Sequence, residues 1–374
     1  MPRVIVHRAT YDPAVVREKI FAILDGLGAR QRIGSSTRVL IKPNLLAPAK
    51  PERAMLTHPA VIRATAEYAL ERGATVQISD SPALGSLQKV VQESGIQQAL
   101  QGLDVHFMPF NASLAVPVGE PFNRLEIAAD AVNAEVLINL PKLKTHSQML
   151  LTLGVKNLFG CIVGFRKPEW HLRAGVDRKR FAQLLVEIYR CLQPPLNILD
   201  GILAMEGDGP GLSGTPRELG VLIGSDDALA LDTAVCKMLG LNPERLLTLL
   251  VAREMDLGGA ATEMQGEIPE VRDFKLPEIT PLVFGPRPLH GVLRRHLVQR
   301  PVCEAPRCKI CGECVKYCPV KAISRQRQGV AFDYDQCIRC YCCVEVCPHG
   351  ALRAEEPRLG RWLRKLMQHQ PAAV

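Results

Sequence analysis

The chain has 374 residues, 47% apolar and 22% charged, a composition that suits a core spread over two domains. No apolar run approaches the ~18–20 residues a membrane span needs, and the opening "MPRVIVHRATYDPAVV" has no signal-peptide pattern, so a cytoplasmic location without a transmembrane segment is expected. Net charge is +8 and sits late: residues 287–374 hold 16 Lys and Arg against 7 Asp and Glu, and with only 5% aromatics for base stacking no nucleic-acid partner is expected.

In chain order, "RVIVHRA" reads as a strand and "DPAVVREKIFAILDGL" as a helix with apolar residues at i, i+3, i+4 and i+7. "RVLIKPN" is a second strand, followed by the helical "HPAVIRATAEYALERG" and the strand "TVQISDS". "AEVLINL" is a further strand, "RKRFAQLLVEIYRCL" a helix, and "LNILDG" and "LGVLIGS" two more strands. "DDALALDTAVCKMLGL" opens on a capping aspartate and closes near a glycine, as a helix should. This alternation predicts an α/β domain over residues 1–286, a mostly parallel sheet with flanking helices.

Open parallel sheets bind ligands beyond the carboxyl ends of their strands. Polar residues gather there: Lys42 and Asn44, Asp80, then Lys142, Lys144 and His146 in "PKLKTH", Lys156 and Asn157, and Asp200 and Glu206. A single lysine after a strand is ordinarily a solvated loop charge; several at equivalent ends point to an anion. The glycines at 207, 209, 211 and 214 read as a pliant loop, and no Walker A lysine follows them. Thr57-His58-Pro59 also fits a plain helix start.

Ten of the 13 cysteines lie within residues 303–347. Cys308, Cys311, Cys314 and Cys318-Pro319 form C-x2-C-x2-C-x3-C-P, and Cys337, Cys340, Cys343 and Cys347-Pro348 repeat it. This is the bacterial two-cluster ferredoxin run, in which the fourth cysteine serves the other cluster. One [4Fe–4S] cluster is therefore assigned to Cys308, Cys311, Cys314 and Cys347, the other to Cys337, Cys340, Cys343 and Cys318. Two zinc sites are the alternative, disfavoured by the crossed triplets. The expected organisation is an α/β domain (1–286), a basic linker (287–302), a small α+β ferredoxin-like domain (303–354) and a basic tail (355–374). The tail reads as a short amphipathic helix with Trp362, Leu363 and Leu366 on one side, and Cys303, Cys342 and Cys161 have no assigned role.

With "VLIKPNLL", "LTHPAVI", "ISDSP", "LPKLKTH", "GVKNLFG" and "LDGILAMEGDGPG" in this order ahead of the doubled cysteine motif, the chain resembles the domain-of-unknown-function family numbered 362 from about residue 3 to 354. The resemblance implies an α/β domain fused to an iron–sulfur module. Carried over by position, it implies a polar set of Lys42, Asn44, His58, Asp80, Lys142, Lys144, His146, Lys156, Asn157, Asp200 and Glu206.

The leading functional expectation is a redox protein that passes single electrons between two [4Fe–4S] clusters and an anionic, phosphate- or carboxylate-bearing and even flavin-like cofactor or substrate in a Lys/His-lined cleft. His146 and His58 are the expected proton carriers. Partners would be a small anionic ligand and an electron donor or acceptor protein, docking on the arginines of residues 287–300, Arg294 and Arg295 among them. The alternative is a non-catalytic carrier or assembly factor whose α/β domain recognises an acidic partner. Oxidoreductase activity is thus an open choice at this level.

Overall fold

In the computed structural model, residues 1–164, 166–258, 261–279 and 296–362 are described. Arg294, Arg295, Leu363 and Leu366, named above, lie outside them.

The strands are β1 (Arg3–Arg8), β2 (Arg38–Pro43), β3 (Thr75–Ile78), β4 (Val105–Phe107), β5 (Ser113–Pro117), β6 (Arg124–Ala128), β7 (Val136–Leu140), β8 (Lys142–His146), β9 (Leu150–Thr152), β10 (Leu196–Gly207), β11 (Gly214–Ser225) and β12 (Glu263–Gln265). One ten-stranded sheet runs β12-β1-β11-β10-β7-β2-β3-β4, with β8 and β9 branching from β10. The β10-β7-β2-β3-β4 run is parallel, whereas β11 is antiparallel to both β1 and β10. All six strands expected from apolar runs are present.

Both faces of the sheet are covered, which explains strands that are apolar almost throughout. Alternate side chains divide between the faces: Val39 and Ile41 join the core under helices Pro13–Gly26 and Pro59–Leu70, while Leu40 joins the core under helix Arg178–Leu192. The helix starts are set by local chemistry. Asp12 accepts from the Ala14 and Val15 amides with Pro13 in the first turn, Asp177 accepts from Lys179 and Arg180, and Asp227 accepts from Ala230. Asp227 is the capping aspartate expected from the sequence.

Two local features shape the site. Pro141 interrupts β7, and the chain resumes as β8 beside the outer half of β10, pairing Lys142 with Asp200 and Lys144 with Met205. The lysine stretch is thus a buried strand. The glycine run is also more regular than expected, because β10 and β11 pair as a long hairpin as far as Gly207 and Gly214, leaving 208–213 as the tip.

Beyond residue 296, β13 (Arg300–Cys303) pairs with β16 (Leu352–Glu355), and β14 (Ile323–Arg325) with β15 (Val330–Phe332), around a small core that includes Cys314, Cys343, Tyr341 and Leu352. The 208–213 tip lies against this unit: Ser213 Oγ donates to the Leu352 carbonyl at 3.4 Å, and a Cβ on Gly211 would meet the Glu345 carbonyl at 3.4 Å. No described helix is long and apolar enough to cross a membrane.

Candidate functional site

A pocket opens where the carboxyl end of the sheet faces the cysteine-rich unit. Lys42, Asn44, Asp80, Lys144, His146, Lys156 and Asn157 line one side, with Lys167 and His171 from the helix Arg166–Ala174; Tyr317, Cys342 and Glu345 come from the cysteine-rich unit.

The lysines are not equivalent. Lys42 Nζ is buried, 2.8 Å from Asp80 Oδ1, and also donates to the Pro43 carbonyl. Asp80 accepts further from the Leu45 and Ser81 amides. Gly160 is required here, since a Cβ would lie 2.1 Å from Asp80 Oδ1 and 2.4 Å from Lys42 Nζ. Lys144 Nζ donates at 2.7 Å to Asn44 Oδ1 and to the Met55 carbonyl; burial, aided by Lys156, lowers its pKa to about 7. Lys167 donates to the Ser81 carbonyl and is lowered to about 8, burial again leading. Lys156 is also lowered by burial, and among the described residues no hydrogen bond occupies its amine. A chain of amides backs the pocket: Asn44 donates to Asn157 Oδ1, Asn157 to Asn139 Oδ1 and Asn139 to Asn197 Oδ1, at 2.8, 2.8 and 2.9 Å.

His146 Nδ1 accepts from the Gln148 and Met149 amides, so its proton resides on Nε2, which stands 2.8 Å from Glu345 Oε1. That is hydrogen-bond distance for a neutral Nε2–H facing a carboxylate, although the alignment is poor. Burial first, then Lys156, lowers His146 to about 4, so the imidazole is neutral near pH 7. Burial would raise Glu345, but His146, Lys156 and His171 outweigh it and hold the carboxyl at about 2. Both histidines are neutral at pH 7. Four buried polar atoms of pocket residues lack a hydrogen-bond partner among the described residues: His146 Nε2, Thr152 Oγ1, His171 Nδ1 and Glu345 Oε1. Buried polar atoms are nearly always satisfied, so such a group around one cavity is a ligand-site feature.

The remaining expected residues lie apart. Lys142 Nζ bonds Asp200 Oδ2 at 2.8 Å and Tyr11 Oη at 2.9 Å. His58 caps the helix Pro59–Leu70 through Nδ1, its amide donates to Asp200 Oδ2 at 2.9 Å, and its ring stacks on Tyr11 at 3.5 Å. Glu206 accepts from Arg217 at 2.8 Å and from the Lys275 amide at 3.1 Å. Asp200 and Glu206 belong to strand β10 rather than to a loop after it.

Cys308, Cys311, Cys314 and Cys347 line a second, smaller pocket. Cys314 feels Cys347, Cys311 and Cys308, Cys318 feels Cys340 and Cys337, and Cys343 feels Cys314 as well as Cys340, Cys337 and Cys318. Backbone amides point at sulfur, Ala322 to Cys318 at 3.2 Å and Ala351 to Cys347 at 3.3 Å. Ile310 and Gly312 in the first loop, and Arg339 and Tyr341 in the second, have positive φ, so the two loops share one backbone turn at matching positions. This donor set, soft thiols ringed by amides, fits iron–sulfur clusters.

Residues 39–237 match the Domain of unknown function (DUF362), and residues 307–351 match a 4Fe-4S dicluster domain. The chain belongs to the DUF362 family. A thylakoid-associated protein of Synechocystis sp. is 37% identical over 298 residues, covering 78% of this chain and 92% of that protein. The cysteine-rich part is 34% identical to a ferredoxin of Rickettsia felis over 62 residues, covering 17% of this chain and 56% of the ferredoxin. The lactate racemase apoprotein from Thermoanaerobacterium thermosaccharolyticum superposes with a TM-score of 0.41 at 12% identity, over 63% of this chain and 56% of that one, too loosely to bear on function. This DUF362 member therefore carries a ferredoxin-type iron–sulfur module, an electron-transfer unit. Tyr317, Cys342, Glu345, Lys167 and His171 were missed from sequence; only the extra thiol at Cys342, outside the repeat, offered a signal.

Proposed function

We propose that this DUF362 member is a cytoplasmic iron–sulfur oxidoreductase in which two [4Fe–4S] clusters exchange single electrons with a small phosphate- or carboxylate-bearing molecule held in the pocket between sheet and module. The first cluster takes Cys308, Cys311, Cys314 and Cys347, the second Cys337, Cys340, Cys343 and Cys318. The observation that carries the reading is the shared wall: Lys144, Lys156 and His146 face Tyr317, Cys342 and Glu345 across one pocket, and Tyr317 and Cys342 adjoin the second-cluster ligands Cys318 and Cys343. Clusters of this type supply one electron at a time.

While protonated, Lys144, with the Lys156 amine beside it, attracts the anion and stabilises negative charge that grows on it as it is reduced. Thr152 Oγ1, which has no hydrogen-bond partner among the described residues, orients it. Lys144, lowered to about 7, is the pocket group able to give up and regain a proton near neutral pH. The Lys42–Asp80 pair and the amide chain hold the floor of the pocket. His58, Lys142 and Asp200, satisfied among themselves and with Tyr11, serve the scaffold. Burial of Lys42 and Lys144 disfavours the alternative of an acidic protein docking on these lysines, because no macromolecular surface reaches them.

The test is anaerobic purification with mass spectrometry of any co-purifying small molecule, on the unmodified protein and on Lys144→Met/Lys156→Met. The proposal expects an anionic molecule that the double variant releases at unchanged iron content. Retention of that molecule by the variant would discard the pocket assignment.

A further inference from the structure

The two cysteine loops share a backbone but differ in one buried charge. The position before each middle cysteine is left-handed, with φ of 53° at Ile310 and 60° at Arg339. Ile310 is apolar and half-buried, whereas Arg339 has no exposed surface at all. None of its three guanidinium nitrogens has a hydrogen-bond partner among the described residues, and no carboxylate there lies within ion-pair distance. Its contact is a ring: Cζ lies 5.0 Å from the Tyr334 centroid. Tyr334 and Tyr341 both feel Arg339 together with the thiols of Cys337 and Cys343, which places the cation and these sulfurs in one neighbourhood. An unpaired charge in such a place is strongly disfavoured. The anionic, sulfur-rich group assigned to this loop is the counter-charge and acceptor the guanidinium otherwise lacks.

The surroundings of the loops differ as well. The middle cysteine Cys311 of the first is exposed and its counterpart Cys340 of the second is buried, while Cys314 and Cys343 are buried alike. Adding an electron to a buried anionic cluster is opposed by desolvation, so burial alone would make the second cluster the harder to reduce. A permanent cation inside its loop acts in the opposite direction, because net charge around a cluster is one of the terms that set its potential.

We propose that Arg339 holds the second cluster at a higher reduction potential than the first. An electron accepted from a donor protein at the exposed first cluster then passes downhill to the second, beside the pocket: the first is oxidised, the second reduced, and no proton is required. The inference rests on the thiol assignment above but not on the identity of any substrate.

Spectroelectrochemical titration of the anaerobic full-length protein, followed by electron paramagnetic resonance, decides it. The unmodified protein should show two midpoint potentials. Arg339→Met should shift the higher one negative, leave the lower one in place and keep full iron, and Arg339→Lys should restore most of the shift. Potentials unchanged in a fully loaded Arg339→Met variant, or a shift confined to the lower one, would overturn the proposal. Should Arg339→Met lose iron, Ile310→Arg decides instead: it must raise the lower potential, and no change overturns the idea. Iron for fewer than two clusters in the unmodified protein removes the thiol assignment itself, and this inference with it.

Discussion

Deleting the Asp80 carboxylate would leave the Lys42 ammonium buried without its counter-ion. Breaking a buried pair from one side typically costs about 3–5 kcal/mol, and Asp80→Ala should lose that much in denaturant unfolding; a loss below ~1 kcal/mol would show that Lys42 finds another partner. Lys144 supplies a pH test. Its pKa is lowered by burial to about 7, so it is cationic below that pH and neutral above. Sulfate, whose own charge is constant from pH 5 to 9, should therefore bind the pocket more weakly as pH rises through about 7, and Lys144→Met should flatten the profile. Stability runs the other way: from about pH 7 to the unfolded lysine value of ~10.4 the unfolded chain binds more protons at this residue, so its contribution to stability rises with pH. His146, lowered to about 4, adds a stability term that is complete above the unfolded histidine value of ~6.5 and is lost as pH falls toward 4. Calorimetry of sulfate binding and urea unfolding across this range separates the two signs.

Elements carried unequal sequence signals. The strands β1, β2, β3, β7, β10 and β11 were legible because a sheet covered on both faces demands nearly unbroken apolar runs. Strand β8 was not, since Lys-Leu-Lys-Thr-His has the composition of a loop; what makes it a strand is the long β10–β11 hairpin that extends past Pro141 and offers it an edge. The same extension places Asp200 and Glu206 inside β10, facing Tyr11 and Arg217 respectively. The cysteine-rich module was legible as a dicluster domain, because ligand spacing is a local property. Glu345 and Tyr317 were not, because their relation to Lys156 and His146 exists only once the hairpin tip has docked the module. The close packing behind β2 gives an element-scale prediction. Gly160→Ala should push apart the Lys42–Asp80 pair and weaken sulfate binding at least tenfold by calorimetry while iron content stays unchanged. Unaltered affinity would mean that the turn 158–161 yields without moving the pair.

At the scale of the whole molecule, the structure sets a ferredoxin-type module against the carboxyl end of an α/β sheet and leaves a cationic pocket between them. Neither part alone forms that pocket, so the account predicts that what binds at the lysines is sensed at the second cluster. Electron–nuclear double resonance on the reduced, full-length protein with bound inorganic phosphate tests this most directly. A phosphorus coupling to the cluster signal, abolished by Lys156→Met at full iron loading, is the predicted result. Phosphate that calorimetry shows to bind through the pocket lysines, yet that gives no phosphorus coupling, would contradict the account.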